Sequence, residues 1–99
     1  MNILFNRLSD ADHTAAVSYY KAISKKLADG FDQELQVILD RIKDNPERYH
    51  FTRCKSYRRA NFSRFPYHLL YRVYPEKNFV RIMVIRHDHQ DPAFGLERE

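Results

Sequence analysis

The apolar residues of this 99-residue chain change their spacing once, and the change divides it into a helical half and a strand half. Leu27, Phe31, Leu35, Ile38, Leu39 and Ile42 recur at the three-and-four period of one helix face. Tyr67, Leu69, Tyr71 and Val73 instead alternate with His68, Leu70, Arg72 and Tyr74, which is the period of a strand. A shorter helical stripe, Ala15, Ala16, Tyr19, Tyr20 and Ile23, precedes the long one. Ser24 lies between the two stripes and is a capping residue type, so two helices are predicted rather than one. The first is entered at Ser9-Asp10-Ala11-Asp12 with Ser9 as its cap, and the second runs from Ser24 to about Asp44. Gly30 then falls inside the second helix at a cost of ~1 kcal/mol, and Asn45-Pro46 ends it. So short a turn makes the helices an antiparallel hairpin.

Around this hairpin, residues 2 to 6 read as a short strand and Tyr57 to Ser63 as a basic strand. Phe65 to Tyr74 follows, then the turn Pro75-Glu76-Lys77-Asn78, then a strand from Phe79 to Arg86. In that last strand Val80, Ile82 and Val84 are predicted to oppose Arg81, Met83 and Ile85. The order implies a single α+β domain over residues 1–99: an N-terminal strand and an α-helical hairpin packed on one face of a mainly antiparallel sheet that ends in a three-strand meander. No internal repeat or low-complexity stretch interrupts it. The composition, 43% hydrophobic and 14% aromatic, supports a packed core and excludes a disordered chain. The single cysteine, Cys54, excludes an intrachain disulfide and suits a reducing cytoplasm. The start, Met1-Asn2-Ile3-Leu4-Phe5, lacks a basic n-region and is too short for a signal peptide or a membrane span, so neither secretion nor a membrane partner is expected.

Charge is unevenly spread within the net +4. Residues 1–49 carry seven basic and eight acidic groups, a net of −1, whereas the remainder carries ten basic and five acidic, a net of +5. Arg58, Arg59, Arg64, Arg72 and Arg86 are the candidate partner-binding cations. If the second face of the sheet is open, His68 and Arg72 project from it together, with Arg86 and His87 at the end of the neighbouring strand. That would be a cationic groove, suited to acidic protein or to phosphates. The competing reading is a solvated sheet face. A plain nucleic-acid-binding module rests on charge alone, because the chain carries no named binding motif.

The other chemistry-bearing residues favour structural readings. His87-x-His89, with His68, His50 and Cys54 elsewhere, matches none of the paired Cys/His frameworks of zinc sites, so no metal is expected. Cys54, between Arg53 and Lys55, has no Gly-rich turn nearby and reads as a loop thiol rather than a nucleophile. Tyr19, Tyr20, Tyr67 and Tyr71 sit on the predicted core stripes and read as packing residues.

Several local strings carry a resemblance. They are Ala16-Val17-Ser18-Tyr19-Tyr20; Leu27-Ala28, Phe31 and Glu34-Leu35; Asn45-Pro46; Tyr57-Arg58-Arg59; Arg64-Phe65-Pro66-Tyr67-His68-Leu69-Leu70-Tyr71-Arg72-Val73; and Val84-Ile85-Arg86-His87 with Asp91-Pro92 after it. In this order the chain resembles the RelE/ParE superfamily of small bacterial toxins from type II toxin-antitoxin modules, and its Phe-Pro-Tyr block looks like the ParE-type branch. The resemblance implies a cytoplasmic growth inhibitor without a cofactor, acting on DNA gyrase and neutralised by a cognate antitoxin. Operator DNA would be met only through the antitoxin complex.

The alternative within the superfamily is a ribosome-dependent mRNA endonuclease, which needs a general base, an acid and phosphate-binding cations. His68, Arg72, Arg86, His87 and His89 are the residues that could serve it. The match to that branch is incomplete: His68 stands at the position of a strand arginine, Asp88 or His89 where a tail arginine is expected, and Phe94 near the position of a tyrosine. The chain also departs from many ParE-type proteins, because His89 and Gln90 replace an arginine pair ahead of Asp91-Pro92.

Overall fold

The computed structural model describes residues 1–52, 56–96 and 98. The chain runs through β1 (Asn2–Phe5), α1 (Arg7–Ile23), α2 (Lys25–Asp44), β2 (Arg58–Asn61), β3 (Tyr67–Tyr74), a 3-10 turn (Pro75–Lys77) and β4 (Phe79–His87). The four strands form one mixed sheet in the order β1-β4-β3-β2. β2, β3 and β4 pair antiparallel as the expected meander, and β1 pairs with β4 in parallel. Among the described residues no helix is long and apolar enough to cross a membrane.

Ser24 does two jobs. Its amide donates to Tyr20 O at 2.8 Å and closes α1, while its Oγ accepts the Leu27 amide at 3.3 Å and opens α2. One extended residue therefore separates the helices, as the two stripes predict. Gly30 lies within α2, and Asn45 ends it by donating its amide to Arg41 O. The cap of α1, by contrast, is Asn6 and not Ser9. Asn6 Oδ1 accepts the Leu8 amide at 2.8 Å. Ser9 is fully buried one turn further on, and its Oγ donates to Asn6 O at 2.6 Å and to Ile82 O at 3.2 Å. The helix begins earlier because Asn6 can cap it while its own amide holds the Ile82 carbonyl at 2.9 Å, joining α1 directly to β4.

The helical hairpin packs on one face of the sheet. Phe31 is the centre of this core, stacked on Phe62 at 4.6 Å and met edge-on by Phe65 and Tyr67. Tyr20, Leu35, Ile38 and Ile42 complete it from the helices, and Leu69, Tyr71, Val80, Ile82 and Ile85 from the strands. The Tyr71 hydroxyl donates to Pro46 O at 2.7 Å, and burial pushes its pKa up to about 12. Tyr19 does not join this core. It is 61% exposed, because the α1 stripe is narrower than its spacing suggests and buries only Ala16 and Tyr20 among the apolar residues assigned to it.

The alternation in β4 breaks at a bulge. Leu70 pairs with Val84 and Tyr71 with Ile82, leaving Met83 as the extra residue. Val84 therefore joins Met83 and Leu70 on the face away from the helices, and Ile85 turns into the main core, the reverse of the uninterrupted alternation. The bulge lies just beyond the end of β1, where β4 loses its parallel partner. Side chains cover that free edge: Arg98 Nη1 donates to Met83 O, Asp12 Oδ2 accepts the Ile85 amide, and Gln90 Oε1 accepts the His87 amide.

Candidate functional site

The sheet face opposite the helices carries the chain's polar chemistry. At its upper end, Asn61 of β2, His68 of β3 and Arg86 of β4 lie side by side in register. His68 and Arg86 are buried. Arg86 Nε donates to His68 Nε2 at 2.8 Å, and His68 Nδ1 meets Asp88 Oδ1 at 2.7 Å. A guanidinium can only donate, so His68 Nε2 is the unprotonated nitrogen and Nδ1–H donates to the carboxylate. Burial draws the His68 pKa below its ordinary value, with the Arg59 and Arg86 charges adding to the fall and the Asp88 hydrogen bond opposing it. The imidazole is a neutral, doubly hydrogen-bonded spacer.

Arg86 also holds the C-terminal tail. Its Nη1 donates to Pro92 O at 2.7 Å and to Phe94 O at 2.8 Å, so the tail folds back over the sheet. Leu96 then packs on Leu70, Met83, Val84 and Tyr57, and Leu96 O accepts the Tyr57 hydroxyl at 3.1 Å. Gly95 makes this approach possible, since it has φ 84° and a Cβ there would stand 2.7 Å from a Val84 methyl. Between this tail, the segment Arg48–Thr52 and the sheet lies a groove of about 950 Å³, bordered by Arg48, His50, Arg59 and Arg86 above an apolar lining that includes Leu70 and Leu96. Among the described residues no group of three or more His, Cys, Asp or Glu is placed to hold a metal ion.

The family model of the ParE toxin of the type II toxin-antitoxin system parDE matches residues 3–92. The chain belongs to the ParE toxin family. The chromosomal ParDE toxin-antitoxin system from P. aeruginosa has a chain of similar structure, with a TM-score of 0.74 and 18% identity over 88% of this chain and 95% of that one. At that identity the likeness is one of fold. No curated protein matches the sequence.

In this ParE-family chain the five candidate arginines do not share one surface. Arg59 lies beside Asp88 at 3.6 Å and borders the groove with Arg86. Arg58 turns to the other face, donating to Glu47 O and Tyr49 O and stacking on Phe51 at 3.9 Å. Arg64 pairs with Glu34 of α2 at 2.6 Å. Arg72 lies toward the far end of β3, opposite Arg81. His68 and Arg72 do share the open face, but His68 is sealed within it, and His87 points to the helix side against the Tyr67 ring. His89 donates its amide to His87 Nδ1 at 3.1 Å. Gln90, one of the two residues at the arginine-pair positions, caps the end of β4. Cys54, with Arg53 and Lys55, lies outside the described residues.

Sequence reasoning gave Arg48 and Arg81 no part in a site, and named Asp88 only as standing where a tail arginine is expected. Arg81 had a readable signal: counting outward from the Pro75–Asn78 turn pairs Tyr74 with Phe79 and Arg72 with Arg81. Nothing in the spacing marks Asp88 as the partner of His68.

Proposed function

We propose that this ParE-family chain is the toxin half of a type II toxin-antitoxin module, arrests growth by binding DNA gyrase rather than by cutting RNA, and is neutralised in the cytoplasm by its cognate antitoxin. The observation that carries this reading is the state of His68. A general base needs a free lone pair within reach of the attacking hydroxyl, and a general acid needs a transferable proton at the leaving oxygen. Both ring nitrogens of His68 are taken by Arg86 and Asp88, and the ring is shut away from solvent. Arg86 is itself committed to His68 and to two tail carbonyls, which leaves it a structural cation. Phe94, near the position of the nuclease tyrosine, has no proton to give. Protein docking needs none of these groups free, and the groove is lined by Arg48 and Arg59 together with apolar residues such as Leu96, a mixture suited to a protein-binding surface.

Purified gyrase titrated with the purified chain tests the proposal. Loss of supercoiling with accumulation of cleaved DNA is expected. Undisturbed supercoiling, together with message cut on ribosomes, would replace this reading with the endonuclease. Operator DNA enters only through the complex with antitoxin, so the isolated chain is expected to show no operator preference.

A further inference from the structure

The lower end of the open face carries a pair of guanidiniums with no counter-ion among the described residues. Arg72 and Arg81 are directly opposite each other across β3 and β4, so their side chains emerge together from the same face. Like charges directly opposite one another destabilise a sheet, and a carboxylate placed between them would relieve the repulsion. Among the described residues neither arginine has an ion pair or a side-chain hydrogen bond. Both are instead supported by aromatic rings. Arg72 Cζ lies 5.2 Å from the Tyr74 centroid, and Arg81 Cζ lies 5.8 Å from Tyr74 and 5.7 Å from Phe79. The two rings are stacked on each other at 4.6 Å. Leu4 of β1, the register partner of Arg81, adds an apolar side chain that is 47% exposed.

We propose that Arg72 and Arg81 form a docking site for an acidic protein segment, in which one Asp or Glu carboxylate is clamped by both guanidiniums and an apolar neighbour rests on Leu4. Stacked arginines keep their N–H edges available for bidentate carboxylate binding at little loss of side-chain freedom. Single-stranded nucleic acid fits this site less well. Its bases need free aromatic faces, and its backbone needs cations along a track. Here Tyr74 and Phe79 spend their faces on each other and on the guanidiniums, and the adjoining turn carries Glu76 as well as Lys77. The inference rests on the reading above only in taking the partner to be a protein.

The test follows the arginine Nε–H resonances of the intact chain by nuclear magnetic resonance while adding a short Leu-Glu peptide with acetylated and amidated ends, its equally blocked Leu-Gln counterpart, or a mixed-sequence DNA duplex. The Arg72 and Arg81 signals are expected to shift with the Leu-Glu peptide alone. Arg81→Glu is expected to weaken that binding by about tenfold or more, and at the same time to raise the melting temperature by turning a repulsive pair into an attractive one. Arg72→Glu is expected to do the same. A lowered melting temperature in both variants would make the pair structural and overturn the proposal. So would unchanged peptide affinity, or a response of these two signals to DNA and not to peptide. Gyrase is absent from the experiment, so its outcome is separate from that of the supercoiling titration.

Discussion

Arg86 Nε donates to His68 Nε2 across neighbouring strands at 2.8 Å, and this one bond links the titration of the imidazole to the seating of the C-terminal tail. Protonating His68 would remove the acceptor and set two cations against each other inside the sheet. Arg86 would then loosen its hold on the Pro92 and Phe94 carbonyls. Asp88 and Arg59 flank the imidazole from the other side.

Stability is expected to fall as the pH drops through the ordinary histidine range. The folded-state pKa of His68 is lowered, first by burial, so the unfolded chain binds the proton more readily and stability rises with pH. The loss begins near the unfolded value of about 6.5 and continues toward the folded one. His68→Gln retains one donor and one acceptor but cannot titrate. Urea unfolding of both proteins across this range is expected to show a shallower pH slope in the variant.

Asp12 and Arg98 form a part-buried pair at 2.5 Å, with side chains 11% and 8% exposed, and Asp12 also holds the Ile85 amide beside the bulge. Removing either partner strands the other. Asp12→Ala is expected to cost about 3 kcal/mol. A double-mutant cycle with Arg98→Ala is expected to show a loss in the double variant well below the sum of the two single losses.

The two glycines are expected to respond oppositely to alanine. At Gly30 a new Cβ would meet Arg64 and Phe65 atoms at an ordinary 3.6 Å, so Gly30→Ala is expected to stabilise α2 by about 0.5–1 kcal/mol. Gly95→Ala strikes Val84 and strains a positive φ, and is expected to cost about 1–3 kcal/mol. Thermal melts decide both signs.

Glu34 is 13% exposed and accepts the Ser63 and Arg64 amides as well as the 68%-exposed Arg64 guanidinium. Burial alone would raise its pKa, but the hydrogen bonds from Arg64 and Ser63 hold it below the ordinary value. Arg64→Ala is expected to cost under about 1 kcal/mol. Glu34→Ala uncaps two amides and is expected to cost about 1–2 kcal/mol in chemical denaturation.

Those parts of the fold that rest on period and punctuation could be read from the residues: the break at Ser24, the stop at Asn45-Pro46 and the meander around Pro75–Asn78. The parts that rest on tertiary geometry could not. The bulge at Met83 reverses the faces of Val84 and Ile85 because β4 loses its partner there, and no local pattern announces where β1 ends. Asn6 takes the cap from Ser9 because the Ser9 hydroxyl is buried on the Ile82 carbonyl, a contact far off in sequence, while Asn6 Oδ1 meets the Leu8 amide. At the candidate site, residue types were legible but their states were not. His68 and Arg86 read as exposed catalytic or binding groups in a strand, whereas Asp88 on the imidazole and the tail carbonyls on Arg86 make them buried scaffolding.

The central claim, that the chain acts on gyrase while His68 serves the fold and not a reaction, is tested most directly by titrating gyrase supercoiling with the wild-type protein and a folded His68→Gln variant. Each preparation is also added to translating ribosomes. Equal inhibition of supercoiling by both proteins, with message intact, is the predicted result. Unaffected supercoiling, with message cut by the wild type and spared by the variant, would contradict it.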